Sequence, residues 1–115
     1  MTMPYINTVS LMGHLTANPE LKNLAGGKTV CSFTIAINGR QEGEADFFPC
    51  EIWGGWAQNL AKTATKGSLV LVEGNLGQDR WEKDGQKHSR IKVKAQRAFH
   101  LEAKYADARD PGVEG

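Results

Sequence analysis

Cysteine is scarce in this chain: only Cys31 and Cys50 occur. No CxxC pair or Cys/His spacing of zinc-site type is present, so a metal centre is not expected. Each cysteine falls in an apolar, strand-like pattern, which points to two buried, reduced thiols and not to a disulfide staple. Long apolar runs are also missing, and the opening MTMPYINTV has no charged stretch followed by an apolar core. Neither a membrane-spanning nor a secreted chain is expected, and the compartment implied is the cytoplasm. Charge of one sign is not in excess: 14 Lys and Arg face 13 Asp and Glu, for a net charge of +1. Bulk charge therefore announces no polyanionic partner. His14, His88 and His100 share no motif, and no Ser/His/Asp grouping or phosphate loop stands out. Neither an enzyme nor a cofactor is expected.

At 115 residues the chain has room for one core. Residues 7–16 alternate Val9, Leu11, Gly13 and Leu15 with polar or flexible neighbours, and the central Gly suggests a bend or bulge. Residues 17–28 carry Asn-Pro and Gly-Gly and read as turns. Residues 30–38 form a second strand, with Cys31, Phe33, Ile35 and Ile37 on one face. A loop at 39–44 leads to a third strand at 46–53. Residues 56–65 hold the one helical period, with Trp56, Leu60 and Ala64 on an apolar side beside Ala57 and Ala61. Trp56 reads as a plug for one end of the core, and Phe33 and Phe48 as core; Phe99 is left open between core and surface. Lys66-Gly67 ends the helix. A fourth strand at 69–76, broken by Gly74, is followed by a hairpin of 80–83 and 89–98 around Asp84-Gly85. Residues 1–102 are taken as one domain and 103–115 as a loose polar tail.

Three strands, a helix and a long hairpin suggest an all-β fold. The layout is that of an OB-fold, a five-stranded Greek-key barrel with its helix between the third and fourth strands and a long hairpin joining the fourth and fifth. An SH3-like barrel or an antiparallel α+β sandwich has a similar pattern.

The third strand carries the functional signal. Phe48, Cys50 and Ile52 make one wholly apolar face, while Phe47, Pro49, Glu51 and Trp53 make the other. A water-facing row that displays Phe and Trp needs something to stack on, and single-stranded nucleic acid fits. Trp81 lies near the hairpin tip, a position that points to a stacking surface and not to the core; packing across the hairpin or on another subunit is the competing reading. Between residues 78 and 97, seven cations face Asp79, Glu82 and Asp84. Arg90, Lys92 and Lys94 line one strand face about 7 Å apart, a spacing similar to that of phosphates on an extended strand. The same row would also keep an exposed strand soluble. Arg80 and Lys83, with Lys62 and Lys66 near the helix end, complete the candidate phosphate contacts.

The segments NTVSLMGHLTANPELK, GGKTVCSFTIAIN, ADFFPCEIWGGWAQNLA, KGSLVLVEGNL and DRWEKDGQK, in this order, resemble bacterial-type single-stranded DNA-binding proteins from about Asn7 to Leu101. The resemblance implies an OB-fold and a homotetramer built as a dimer of dimers. It also implies sequence-independent binding of single-stranded DNA wrapped on that tetramer, serving replication, recombination and repair. Phe47, Trp53 and Trp81 match the stacking positions. A further stacking aromatic expected after the second strand is absent from NGRQEGE, where Arg40 is the substitute. The acidic, Pro-Phe tip by which such proteins recruit partners is not found in DPGVEG, so that recruitment is not expected. A phage, plasmid-borne, organellar or cyanobacterial-like variant would fit. The alternative is a primosomal-type OB-fold assembly module that acts mainly through protein contacts in replication restart.

Overall fold

The computed structural model describes residues 3–39 and 41–101. Arg40 and the tail expected at 103–115 lie outside the described residues. Six strands and one α-helix follow in the order β1 Val9–Leu15, β2 Glu20–Asn23, β3 Thr29–Asn38, β4 Ala45–Trp53, α1 Gly55–Thr63, β5 Leu69–Lys83 and β6 Gln86–His100, with a 3-10 turn at Ala25–Gly27.

The strands pair in the order β1-β5-β6-β4-β3-β2, and a second pairing of β1 with β3 closes the barrel. Closure is made at His14 opposite Ala36 and Leu15 opposite Ile35, where β1 leaves β5 and crosses to β3. Gly13 sits at this crossing because a Cβ there would lie 2.4 Å from the Ala36 carbonyl oxygen. All pairings are antiparallel except β4 with β6, which run parallel from Cys50 opposite Val93 to Ile52 opposite Ala95. This is the OB-fold architecture, a closed barrel with one helix across it.

Inward residues fill the barrel: Leu15, Cys31, Phe33, Ile35, Cys50, Ile52, Val70, Val72 and Val93 are all buried, with Ala57, Leu60 and Ala64 closing from α1. Burial in this apolar interior pushes the Cys31 thiol up to about 11 and that of Cys50 up to about 12. Both are free thiols, as expected. Among the described residues no helix is long and apolar enough to cross a membrane.

Four expectations are corrected. Residues 17–28 are not only turns: Glu20–Asn23 pairs with β3, extending the line of β1 past Asn18-Pro19. Its four residues are all exposed, so no apolar alternation marked it. The strand from 69 and the hairpin arm at 80 are one continuous β5, and β6 is correspondingly long. Trp56 is no plug. The buried helical stripe is Ala57, Leu60 and Ala64, and Trp56, one residue or about 100° around from Ala57, stays 38% exposed with its ring edge-on to Phe99. Phe48 is only half-buried, at the less covered end of β4. The hairpin turn is as expected, with Asp84 and Gly85 both at positive φ (53° and 78°), the geometry of a tight two-residue connection.

Candidate nucleic-acid interface

Strand registers assemble the outward face. Ser32, Thr34 and Ala36 of β3 stand opposite Glu51, Pro49 and Phe47 of β4, and Glu51 stands beside Lys94 of β6. On β6, Lys92, Arg90 and His88 face Gly77, Asp79 and Trp81 of β5. Alternation thus places Phe47, Trp53, Trp81, Arg90, Lys92 and Lys94 on one continuous surface running over β4, β6 and β5. Phe47 is 61% exposed, and Trp53 and Trp81 are each 45% exposed. Such rings offer open faces on a sheet whose other side is already committed to the core.

Two of the three rings are held by neighbours. The Trp53 indole Nε1 donates to Glu51 Oε2 at 3.2 Å. The Trp81 ring lies nearly parallel to the His88 imidazole, with centroids 5.6 Å apart and planes 18° apart, leaving its other side free. Lys94 lies across Gly77; a Cβ on that residue would meet Lys94 Cε at 2.3 Å. Beside the face, a polar cavity of about 280 Å³ is lined by Thr16, Asn18, Glu20, Ser32, Arg90 and Lys92.

The cations are not equivalent. Lys92 Nζ donates to Glu51 Oε1 at 2.5 Å and pairs with Asp79 Oδ2 at 2.7 Å. Its side chain is only 12% exposed and that of Glu51 14%. Partial burial works against the ammonium charge, but hydrogen bonds to Asp79 and Glu51 outweigh it and hold Lys92 above its ordinary range. Lys92 therefore carries no uncommitted charge, unlike the row of three equal cations that alternation implied. Arg80 is set apart by parity. It lies on the opposite side of the hairpin from Trp81, paired with Ser89, and donates to Gln78 Oε1 at 2.8 Å. Lys83 is at the hairpin tip on the Trp81 side. Lys62 lies in the last turn of α1 and Lys66 in the turn before β5, off the strands that make the face. Arg40 lies outside the described residues.

Sequence reasoning missed Glu51 as an anchor, Asp79 as an ion-pair partner and His88 as a ring partner. The last was accessible, since the Asp84-Gly85 turn fixes Trp81 opposite His88. Glu51 and Lys92 are 41 positions apart and meet only through the parallel β4–β6 pairing.

The hydrogen bond from Lys92 lowers the Asp79 carboxyl below its ordinary 3.8; desolvation opposes this, while the charges of Lys92, Arg90 and Lys94 reinforce it. A folded-state value below the unfolded one means the pair stabilises fully above 3.8 and that this is lost as pH falls through the lowered value. Melting curves against pH should therefore show Asp79→Asn less stable than the parent at neutral pH. The gap should close as acid protonates Asp79; a gap that persists unchanged into acid would exclude this origin.

A model of the single-strand binding protein family matches residues 6–101. The chain is 37% identical over 99 residues to a single-stranded DNA-binding protein of Treponema pallidum, covering 81% of this chain and 56% of that one. It is 40% identical over 98 residues to a single-stranded DNA-binding protein of Aquifex aeolicus, covering 79% and 67%. With single-stranded DNA-binding protein 2 of Streptococcus agalactiae the identity is 39% over 115 residues, covering 95% and 88%. The chain thus spans a little over half of the Treponema relative and most of the streptococcal one.

Proposed function

The chain belongs to the single-strand binding protein family, and from that premise we propose that it binds single-stranded DNA without sequence preference, as a non-enzymatic protein. The observation that carries this reading is the outward face itself: three exposed aromatic rings on one sheet surface, two of them braced by neighbours, with Arg90 and Lys94 among them. Bases stack on Phe47, Trp53 and Trp81, while Arg90, Lys94 and the tip residue Lys83 contact phosphates. Stacking accepts any base because every base has a π-face, and duplex DNA is disfavoured because paired bases hide theirs. Protection of exposed strands in the bacterial cytoplasm during replication, recombination and repair is the corresponding role.

Assembly as a homotetramer belongs to the same proposal. Met12, Leu71 and Phe99 stand in register across β1, β5 and β6, with Met12 51% and Phe99 38% exposed. Beside them, Val9 to Gly13 pair only with β5 among the described residues, leaving a strand edge open. An apolar row beside an open edge suits a second copy of the chain. Sedimentation should give a mass of four 12.6 kDa chains, and a monomer or a dimer would overturn the tetramer.

Titration with oligo-dT at low and high salt, following tryptophan emission, tests the binding reading with duplex DNA as control. Strong quenching by oligo-dT that partly survives salt, with little response to duplex, is the expected result. Weak and fully salt-sensitive binding to both would mean a charged surface without stacking.

A further inference from the structure

The centre of the outward face has an unusual charge arrangement for a surface that meets a polyanion. Lys92 lies between Arg90 and Lys94 on β6, yet its ammonium is enclosed by Glu51 from β4 and Asp79 from β5. Two carboxylates around one ammonium leave the cluster with one negative charge. The Glu51 carboxylate has a second commitment. Its Oε1 takes Lys92 while its Oε2 accepts the Trp53 indole N–H. The same side chain therefore silences a cation and orients a stacking ring.

We propose that Glu51 and Asp79 hold Lys92 as a masked cation, so that the middle of the face offers stacking surface without net positive charge and phosphate contact falls to Arg90 and Lys94. This rests on the reading of the face as the DNA-binding surface and adds which of its cations engage phosphate. To reach a phosphate, Lys92 would have to give up two short contacts and leave two carboxylates facing one another beside an incoming anion. Breaking a mostly buried ion pair in this way is strongly unfavourable. Arg90 and Lys94 face no such obstacle. Both are exposed and stand two alternate positions apart, about 13 Å by strand rise. Phosphates held at these two residues flank the Lys92 cluster, where the absence of net positive charge gives a phosphate no reason to settle; Trp53 follows just past Lys94, since Glu51 pairs with Lys94 and Ile52 with Ala95. Glu51 is thus a positioning residue that acts through Trp53 and Lys92.

The salt dependence of binding reads this directly, because each phosphate neutralised on a single strand contributes about 0.7 to the slope of log K against log salt. Oligo-dT binding would be measured for the parent, for Glu51→Gln with Asp79→Asn, and for that double variant carrying Lys92→Met as well. Melting curves confirm that each is folded. In the double variant both carboxylates become neutral amides, and the Gln oxygen can still accept from Trp53. Lys92 is then unmasked, and the slope should steepen by about 0.7 with tighter binding at low salt. Adding Lys92→Met should return the slope to the parent value. A double variant with the parent slope would overturn the proposal, and so would a triple variant falling about 0.7 below the parent, since Lys92 would then already neutralise a phosphate. Trp53→Ala separates this failure from failure of the face assignment. If its binding is weakened while the double variant keeps the parent slope, the masking idea alone is wrong. Parent-like binding by Trp53→Ala and Trp81→Ala alike would remove the face and the masked cation together.

Discussion

Replacing both Trp53 and Trp81 with alanine should weaken oligo-dT binding by about 2–6 kcal/mol, since each lost base stack removes about 1–3 kcal/mol. In affinity that is roughly 30-fold to 20,000-fold. The effect is large because neither ring supports the barrel. Both are on the outward row, Trp53 touching Glu51 and Trp81 touching His88, while the inward positions next to Trp53, Ile52 and Cys50, are buried. Stability should therefore change little, within about 0.5 kcal/mol per exposed site. Trp56 provides an internal control, because it stands on α1 against Phe99, away from the strands that make the face. Its emission should remain in the double variant and should not respond to oligo-dT. Anisotropy of a labelled oligonucleotide gives the affinity, and a thermal melt confirms the fold. Parent affinity in a folded double variant would sink the stacking assignment.

Trp53 was legible from the period of two, and Trp81 from its place beside the Asp84-Gly85 turn. Along β4, alternation alone separates Phe47, Pro49, Glu51 and Trp53 from the core set, and the structure puts them on the outward face. The same rule places Arg80 on the other side of the ribbon from Trp81, although both line one open cavity at the hairpin with His88 and Lys87. Other features depended on tertiary pairing that no local pattern encodes. Glu20–Asn23 has no buried side chain and becomes a strand only because β3 offers its edge. Ile91 follows the inward alternation of Val93 and Ala95 but is 60% exposed, because the hairpin runs on beyond the barrel wall that covers those two. Alternation also makes Arg90, Lys92 and Lys94 look alike. Only the parallel β4–β6 pairing, joining segments about 40 residues apart, shows that the middle one is taken. Strands and turns thus narrowed the fold to a small barrel or sandwich and the family resemblance selected the OB-fold, while the electrostatics of its face were not readable.

Gly74→Ala should be the most damaging small substitution in the barrel. A Cβ at this position would lie 2.1 Å from the Lys94 carbonyl oxygen and 2.8 Å from Ala95 Cα, both backbone atoms of the neighbouring strand. No side-chain rotation relieves such a clash, so β5 and β6 must separate. The register shows why they come so close. Glu73 pairs with Arg97 and Gly74 with Ala95, so Gln96 is an extra residue on β6 and the ladder bulges at this step. Bulges sharpen local twist, and here the bulge turns β6 so that Cys50, Glu51 and Ile52 of β4 pair with Val93, Lys94 and Ala95. Overpacking typically costs 1–3 kcal/mol, and a backbone collision belongs at about 3 kcal/mol or more. For a domain of this size that lowers the melting temperature by roughly 10–25 °C. Gly55→Ala is the matched comparison. Nothing lies within 4 Å of its Cβ position at the start of α1 and its φ is not positive, so Ala there stabilises by about 0.4–1 kcal/mol through reduced unfolded-state entropy. The two variants should therefore move in opposite directions in one melting experiment. DNA binding should fall with Gly74→Ala even below its melting point, because separating β5 from β6 shifts Trp81 on β5 relative to Arg90 and Lys94 on β6. A Gly74→Ala protein that melts with the parent would show that β5 and β6 do not approach this closely, and the bulge would then lose its part in closing the barrel.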